Sequence, residues 1–289
     1  MYRVQLHISA QYAKPVEELL LASGALSLSL QDDADNPLYE PPPGSAPLWP
    51  TLEVSALYQS RPEQSLLHKA LENLVGGSVE LSVIEFEDHN WQANFQQQIT
   101  PQRFGQRLWV YPSWHDDPAP DGISIKLDPG LAFGTGSHAT TDLCLTWLDY
   151  NTVAGLKVLD FGSGSGILSV AACKLDAAHL YAVDIDPQAI TATRENLIHN
   201  DIPEDKFSID FPAQLQTVKT DIILANILCN PLKSLHGQFQ QQLLSGGTLV
   251  MSGILEQQVE EICAIYQTGF SLVETQSKDG WALVAVTRD

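Results

Sequence analysis

The chain has 289 residues, 44% hydrophobic and 17% charged, which is enough apolar material for packed cores; this excludes overall disorder, and the length favours two domains. Fifteen Lys and Arg against 35 Asp and Glu leave a net charge of -20, which opposes a broad grip on nucleic-acid phosphates or anionic lipid and points to a basic protein as partner. No apolar run approaches the roughly 18 residues of a membrane span, no export signal is visible, and four cysteines at least 29 residues apart fit neither a disulfide framework nor a metal site, so a reducing cytoplasm is expected.

In chain order, residues 2–8 alternate as a strand with Val4, Leu6 and Ile8 on one face, and Pro15 opens a helix that Gly24 stops. A strand over 25–30 precedes an insertion over 32–50 whose seven prolines and glycines exclude a regular element. Alternation resumes over 51–58, a helix runs from Pro62 to Leu74, and a strand covers 79–86. This βαββαβ order predicts a small α+β, ferredoxin-like domain over 1–88. Residues 89–121 change to Gln, Trp and Pro, with Trp91, Phe95, Phe104, Trp109 and Trp114 among polar neighbours: a connector expected to dock by its aromatics.

Over 122–289 strands and helices alternate as in a doubly wound parallel sheet. Strands are expected at 157–161, 180–184, 207–211, 221–226 and 247–252, with helices at 167–175, 187–199, 231–244 and 255–268. An antiparallel pair, 271–276 and 281–287, ends the pattern; such a pair is unusual in nicotinamide-binding domains and common in methyltransferases.

Chemistry is expected at the strand ends. Val158-Leu-Asp-Phe-Gly-Ser-Gly-Ser-Gly166 is a buried strand, a turn with Gly162, Gly164 and Gly166, and then a helix; glycines at alternate positions allow a sharp turn and close approach of a ligand. The dinucleotide fingerprint would place its third glycine at 167, which is Ile167, so a pyrophosphate cradle is disfavoured. Asp184, 18 residues past Gly166, ends the second strand where a carboxylate can accept both ribose hydroxyls of a nucleoside, and Ile185 offers an apolar surface to an adenine. Asp184 or Asp186 capping the helix that Pro187 starts is the competing role. Asn226 ends the fourth strand, where its amide oxygen can accept from an amine without adding charge; a plain turn-forming Asn is the alternative. The run Leu127-Asp-Pro-Gly-Leu-Ala-Phe-Gly-Thr-Gly-Ser-His-Ala-Thr-Thr141 precedes a helix carrying Leu143, Leu145 and Leu148, and suits a lid or clamp over a polar ligand. Ser137, Thr140 or Thr141 can instead serve as its N-cap, and His138 is left as a wall of the site.

The run Asp128-Pro-Gly-Leu-Ala-Phe-Gly-Thr-Gly-Ser-His, with Val158 to Gly166, Asp184-Ile-Asp-Pro-Gln-Ala and Ala225-Asn-Ile-Leu, resembles the ribosomal protein L11 methyltransferase (PrmA) family over nearly the whole chain. The family often has Cys where Ser163 stands and usually has Pro where Ala139 stands. The resemblance implies a class I, Rossmann-like methyltransferase fold, S-adenosylmethionine as donor with S-adenosylhomocysteine as product, and no metal. It also implies that the small domain recognises the ribosomal protein and that Thr141, Gly162, Asp184 and Asn226 contact the cofactor. Asn226 is in addition the candidate catalytic residue. The expected reaction is in-line transfer of a methyl to a lysine ε-amine or an α-amine, with no dedicated base in view. Charge suits a basic substrate independently: residues 1–90 hold 4 basic and 13 acidic side chains, the remainder 11 and 22. No direct nucleic-acid contact, no membrane and a monomer are expected. A small-amine or nucleobase methyltransferase and a non-catalytic adaptor are the competing readings; the first lacks an aromatic after Asn226 to stack a flipped base, and the intact glycine turn, Asp184 and Asn226 speak against the second.

Overall fold

The computed structural model describes residues 1–33, 47–85, 99–119, 122–128 and 138–289. Most of the Pro-rich insertion, Trp91 and Phe95 of the connector, and residues 129–137 of the expected lid lie outside these. The chain divides into two compact units, Met1–Phe95 and Gln96–Asp289.

In the first unit β1 (Tyr2–Ser9), α1 (Ala13–Ala22), β2 (Ser27–Asp32), β3 (Thr51–Tyr58), α2 (Gln64–Val75) and β4 (Leu81–Glu85) follow one another. The strands form one sheet in the order β2-β3-β1-β4, every neighbouring pair antiparallel. Val4, Leu6 and Ile8 of β1 pack with Val16 and Leu20 of α1 and Leu67 and Leu71 of α2, so alternation along the strand and helical spacing along the helices meet in one core. Pro15 sits in the first turn of α1, where its missing N–H costs nothing, and Gly76 ends α2 at φ 72.

The second unit begins with β5 (Gln102–Phe104), β6 (Leu108–Tyr111) and β7 (Ile123–Lys126), a small sheet in that order. The first two strands fall within the stretch read as a connector; at three and four residues they are too short for periodicity to reveal. Their turn is tied to α3 (Ala139–Tyr150) by the buried Asp149 carboxylate, which accepts from Gln106 N at 2.6 Å and Arg107 Nε at 3.1 Å. Then come β8 (Lys157–Phe161), α4 (Ile167–Lys174), β9 (His179–Val183), α5 (Pro187–His199), β10 (Phe207–Asp210), β11 (Thr220–Asn226), α6 (Cys229–Gln242), β12 (Leu243–Leu255), α7 (Val259–Tyr266), β13 (Phe270–Lys278) and β14 (Trp281–Arg288). Pro231 falls within the first turn of α6 and does not open it, again a place where no N–H is needed.

These seven strands form one sheet, β10-β9-β8-β11-β12-β14-β13. Successive residues feed opposite cores: Val158, Ile222, Leu224 and Val250 pack on one face with α3 and α4, whereas Leu159, Ile223, Leu249 and Met251 pack on the other with α6 and α7. Both faces are covered, which is why the strands read as continuous apolar runs. Each fully buried Leu or Ile contributes about 1.5–3 kcal/mol of transfer free energy to holding the strand ends in place. The final pair is antiparallel as expected, but β14 inserts between β12 and β13 and opposes both, so β13 at the edge runs with the parallel strands. No helix among the described residues is long and apolar enough to cross a membrane.

Candidate active site

The chain leaves β8 outward to β9 and β10, then returns to β11 on the other side, so strand order reverses between β8 and β11. The crevice outside the carboxyl ends of two such strands is where open α/β sheets bind ligands. Gly162 and Asn226, the residues that follow and end these strands, flank it.

Gly162, Gly164 and Gly166 all have positive φ, at 81, 55 and 77°. At Gly162 a Cβ would run into the Ile227 side chain just past Asn226, and at Gly166 it would come within 2.8 Å of Thr193 Cα on α5. Conformation and space both demand glycine here. Ser163 Oγ accepts from Thr193 Oγ1 at 2.9 Å, and Asn196 Nδ2 donates to Ser165 O at 2.8 Å, so α5 holds the turn from behind.

Asp184 follows β9, half-buried, and braces the same turn. One carboxylate oxygen accepts from Gly164 N at 2.9 Å and the other from Asp186 N at 3.0 Å. The N-cap of α5 is Asp186, whose carboxylate accepts from Gln188 N at 2.8 Å, so Asp184 is not the cap of that helix. Ile185 beside it is 84% exposed, an apolar surface with no covering among the described residues. Thr141 is fully buried on α3, and its Oγ1 lies 3.5 Å from Asn226 Nδ2, a long contact that turns the amide nitrogen inward. The four expected site residues therefore meet in two linked pairs: Gly162 with Asp184 through the turn, and Thr141 with Asn226 across the strand end.

The helix cap differs from expectation. His138, not Ser137, Thr140 or Thr141, is the N-cap of α3: its Nδ1 lies 3.3 Å from Thr140 N and 2.8 Å from Thr140 Oγ1, and its ring meets Trp281 edge-on at 4.9 Å. Burial pushes its pKa below the ordinary value, which favours the neutral ring whose Nδ1 can accept from Thr140 N at the helix start.

Asp160 is a residue sequence reasoning passed over. It lies on β8, 1% exposed, with Oδ2 accepting from Ser169 Oγ at 2.6 Å, and next to Cys144, whose thiol burial pushes up to about 12. Burial drives the Asp160 carboxyl up to about 7; the Asp184 charge adds to the rise and the Ser169 hydroxyl opposes it. Only its position two residues before the glycine turn marked it. An unfolded Asp ionises near 3.9, so between about pH 4 and pH 7 the folded state holds the extra proton and stability falls as pH rises, levelling above about pH 7. Asp160→Asn is expected to lose less melting temperature than the parent between about pH 5 and pH 8 in thermal scans; equal losses would place the dependence elsewhere. Among the described residues, no group of three or more His, Cys, Asp and Glu is arranged to hold a metal ion.

A glycine turn at the switch point of a sheet carrying one reversed strand beside its edge defines the class, a Rossmann-like α/β methyltransferase. The family model described as Ribosomal protein L11 methyltransferase (PrmA) matches residues 1–289. A curated protein of that name from Legionella pneumophila is 45% identical over 283 residues, 97% of this chain and 96% of its own. Its namesake from Ectopseudomonas mendocina is 43% identical over 284 residues, 98% of this chain and 97% of its own. The crystal structure of a ribosomal protein L11 methylase from Lactobacillus delbrueckii subsp. bulgaricus superposes with a TM-score of 0.59 at 34% identity, covering 65% of this chain and 98% of that one. The chain belongs to the ribosomal protein L11 methyltransferase family.

Proposed function

We propose that the protein transfers methyl groups from S-adenosylmethionine to amino groups of ribosomal protein L11, lysine ε-amines or the N-terminal α-amine. The observation that carries this reading is the Asn226 amide at the switch point, anchored on Thr141 across from the side-chain-free Gly162. The crevice suits the donor: Gly162 turns the chain at φ 81 with the Ile227 side chain packed against it, Asp184 can accept from ribose hydroxyls on lone pairs its backbone partners do not use, and Ile185 offers the adenine a face. Thr141 and Asn226 would line the sulfonium end.

When bound, S-adenosylmethionine supplies a methyl on cationic sulfur, whose passage to a neutral amine forms an N–C bond as the S–C bond breaks and releases S-adenosylhomocysteine. With Nδ2 lying 3.5 Å from Thr141 Oγ1, Oδ1 would be the end that accepts an amine N–H and aims the nitrogen lone pair. An uncharged acceptor matters because a carboxylate there would favour the ammonium, and a lysine near pKa 10.4 is already almost wholly protonated at neutral pH. Leu228, 42% exposed, and Ile227 make the rim apolar and help strip water from the amine, whose proton leaves to solvent.

The small unit, read as a ferredoxin-like recognition domain over 1–88, would take the ribosomal protein; the stretch read as a connector, 89–121, carries β5 and β6 of the second unit and would lead into the catalytic domain read over 122–289. Its acidic balance suits a basic partner. The protein would act as a cytoplasmic monomer without direct contact to nucleic acid. With methyl-labelled donor and ribosomal proteins from cells lacking this enzyme, label is expected on amines of L11. Label confined to RNA or to small amines, or no transfer despite donor binding, would replace this reading with one of its competitors.

A further inference from the structure

The peptide following Asn226 is held from two sides. Ile227 presents its side chain to Gly162 and its main chain to Gly253, and at Gly253 an added Cβ would run into Ile227 O and stand 2.8 Å from its carbonyl carbon and 3.3 Å from its N. Gly253 has φ 81 and lies within the register shift between Met251 and Ile254, where β12 departs from regular pairing with β14. The residue before it, Ser252, is the direct register partner of Asn226 on β11. A bulge at a strand end re-aims what lies beside it, and here the neighbour is the loop that leaves Asn226.

We propose that Gly253 is a positioning residue for methyl transfer: by having no side chain it lets the Ile227 peptide pass against β12, and that passage sets where the Asn226 amide points. The inference rests on the reading of Asn226 as the group that orients the amine. Gly253 reaches the glycine turn only by way of the Ile227 side chain at Gly162, whereas its own close contact is with the Ile227 main chain beside Asn226, so its effect is expected first at the reacting end of the crevice.

The same strand carries its own control. Gly246 has φ 78, almost that of Gly253, but nothing lies within 4 Å of where its Cβ would stand. Gly246→Ala therefore imposes the same backbone strain as Gly253→Ala without the collision. Misplacing a reacting group by about 1 Å can cost a hundredfold in rate, so Gly253→Ala is expected to lower kcat at least about tenfold below Gly246→Ala. The KM for L11 and the Kd for S-adenosylhomocysteine are expected to stay within about twofold of the parent, because uniform binding is untouched. Equal kcat in the two variants, or a Kd that weakens in step with kcat, would overturn the proposal. If Gly253→Ala does not fold, Ile227→Ala compared with Leu228→Ala decides: both trim the apolar rim but only the first empties the other side of the clamp, so a kcat for Ile227→Ala at least about tenfold below that of Leu228→Ala supports the proposal and equal kcat overturns it. Failure of the Asn226 reading is separate, since Asn226→Ala would then retain turnover whatever Gly253→Ala did.

Discussion

Asn226→Ala is expected to lower kcat for L11 methylation by about a hundredfold or more, with the Kd for S-adenosylhomocysteine changed much less, if the amide acts on the incoming nitrogen as proposed. The chemistry asks little of the protein beyond alignment, so loss of the one side-chain acceptor at the end of β11 falls directly on the fraction of encounters that react. Asn226→Asp sharpens the test. It keeps the shape and an acceptor oxygen but adds a charge that stabilises the substrate as ammonium, so it is expected to be as inactive as the alanine at neutral pH and to regain rate as pH rises. Single-turnover kinetics at saturating donor separate these effects from binding. A loss of less than about threefold in the alanine variant would remove Asn226 from the alignment step, since one neutral hydrogen bond is worth about 0.5–1.5 kcal/mol.

Asp184→Asn is expected to weaken cofactor binding by about 10- to 100-fold while leaving kcat at saturating donor nearly intact, because hydrogen bonds to a charged group are worth about 1.5–3 kcal/mol. Its two oxygens already accept from Gly164 N and Asp186 N. An amide replaces one of these acceptors with a donor, so either the turn loses a brace or the ribose loses a partner, and both losses appear in affinity. Titration calorimetry with S-adenosylhomocysteine reads this directly. An unchanged Kd would mean that the carboxylate serves the turn alone.

The elements that could be read from the chain were those whose pattern is local. Alternation over 51–58 gives β3 as Thr51–Tyr58, and the apolar run ending at Phe161 followed by Gly162 gives β8 and its turn. Asp184 and Asn226 were legible as candidate site residues because strand ends in a doubly wound sheet converge. What escaped depends on partners distant in sequence. His138 caps α3 with Trp281, 143 positions away, set against its ring; a string of Ser and Thr hides that. Asp160 looks like one polar residue in an apolar strand until Ser169 and Cys144 close around it. The demand for glycine at 253 comes from the Ile227 peptide in the loop that leaves β11, and no local rule announces it.

The reversed position of β14 bears on how the molecule comes together. Among the described residues β13 pairs only with β14, which lies between it and β12 and is its sole link to the rest of the sheet. The earlier-made strand thus waits for the later one, and order of synthesis cannot be order of assembly. Trp281, at the head of β14, also brings the ring that rests on the cap of α3, the helix bearing Thr141. The helix bordering the candidate crevice thus has its cap braced by a latecomer, so a chain still lacking that strand would own every motif and yet leave that cap unsupported.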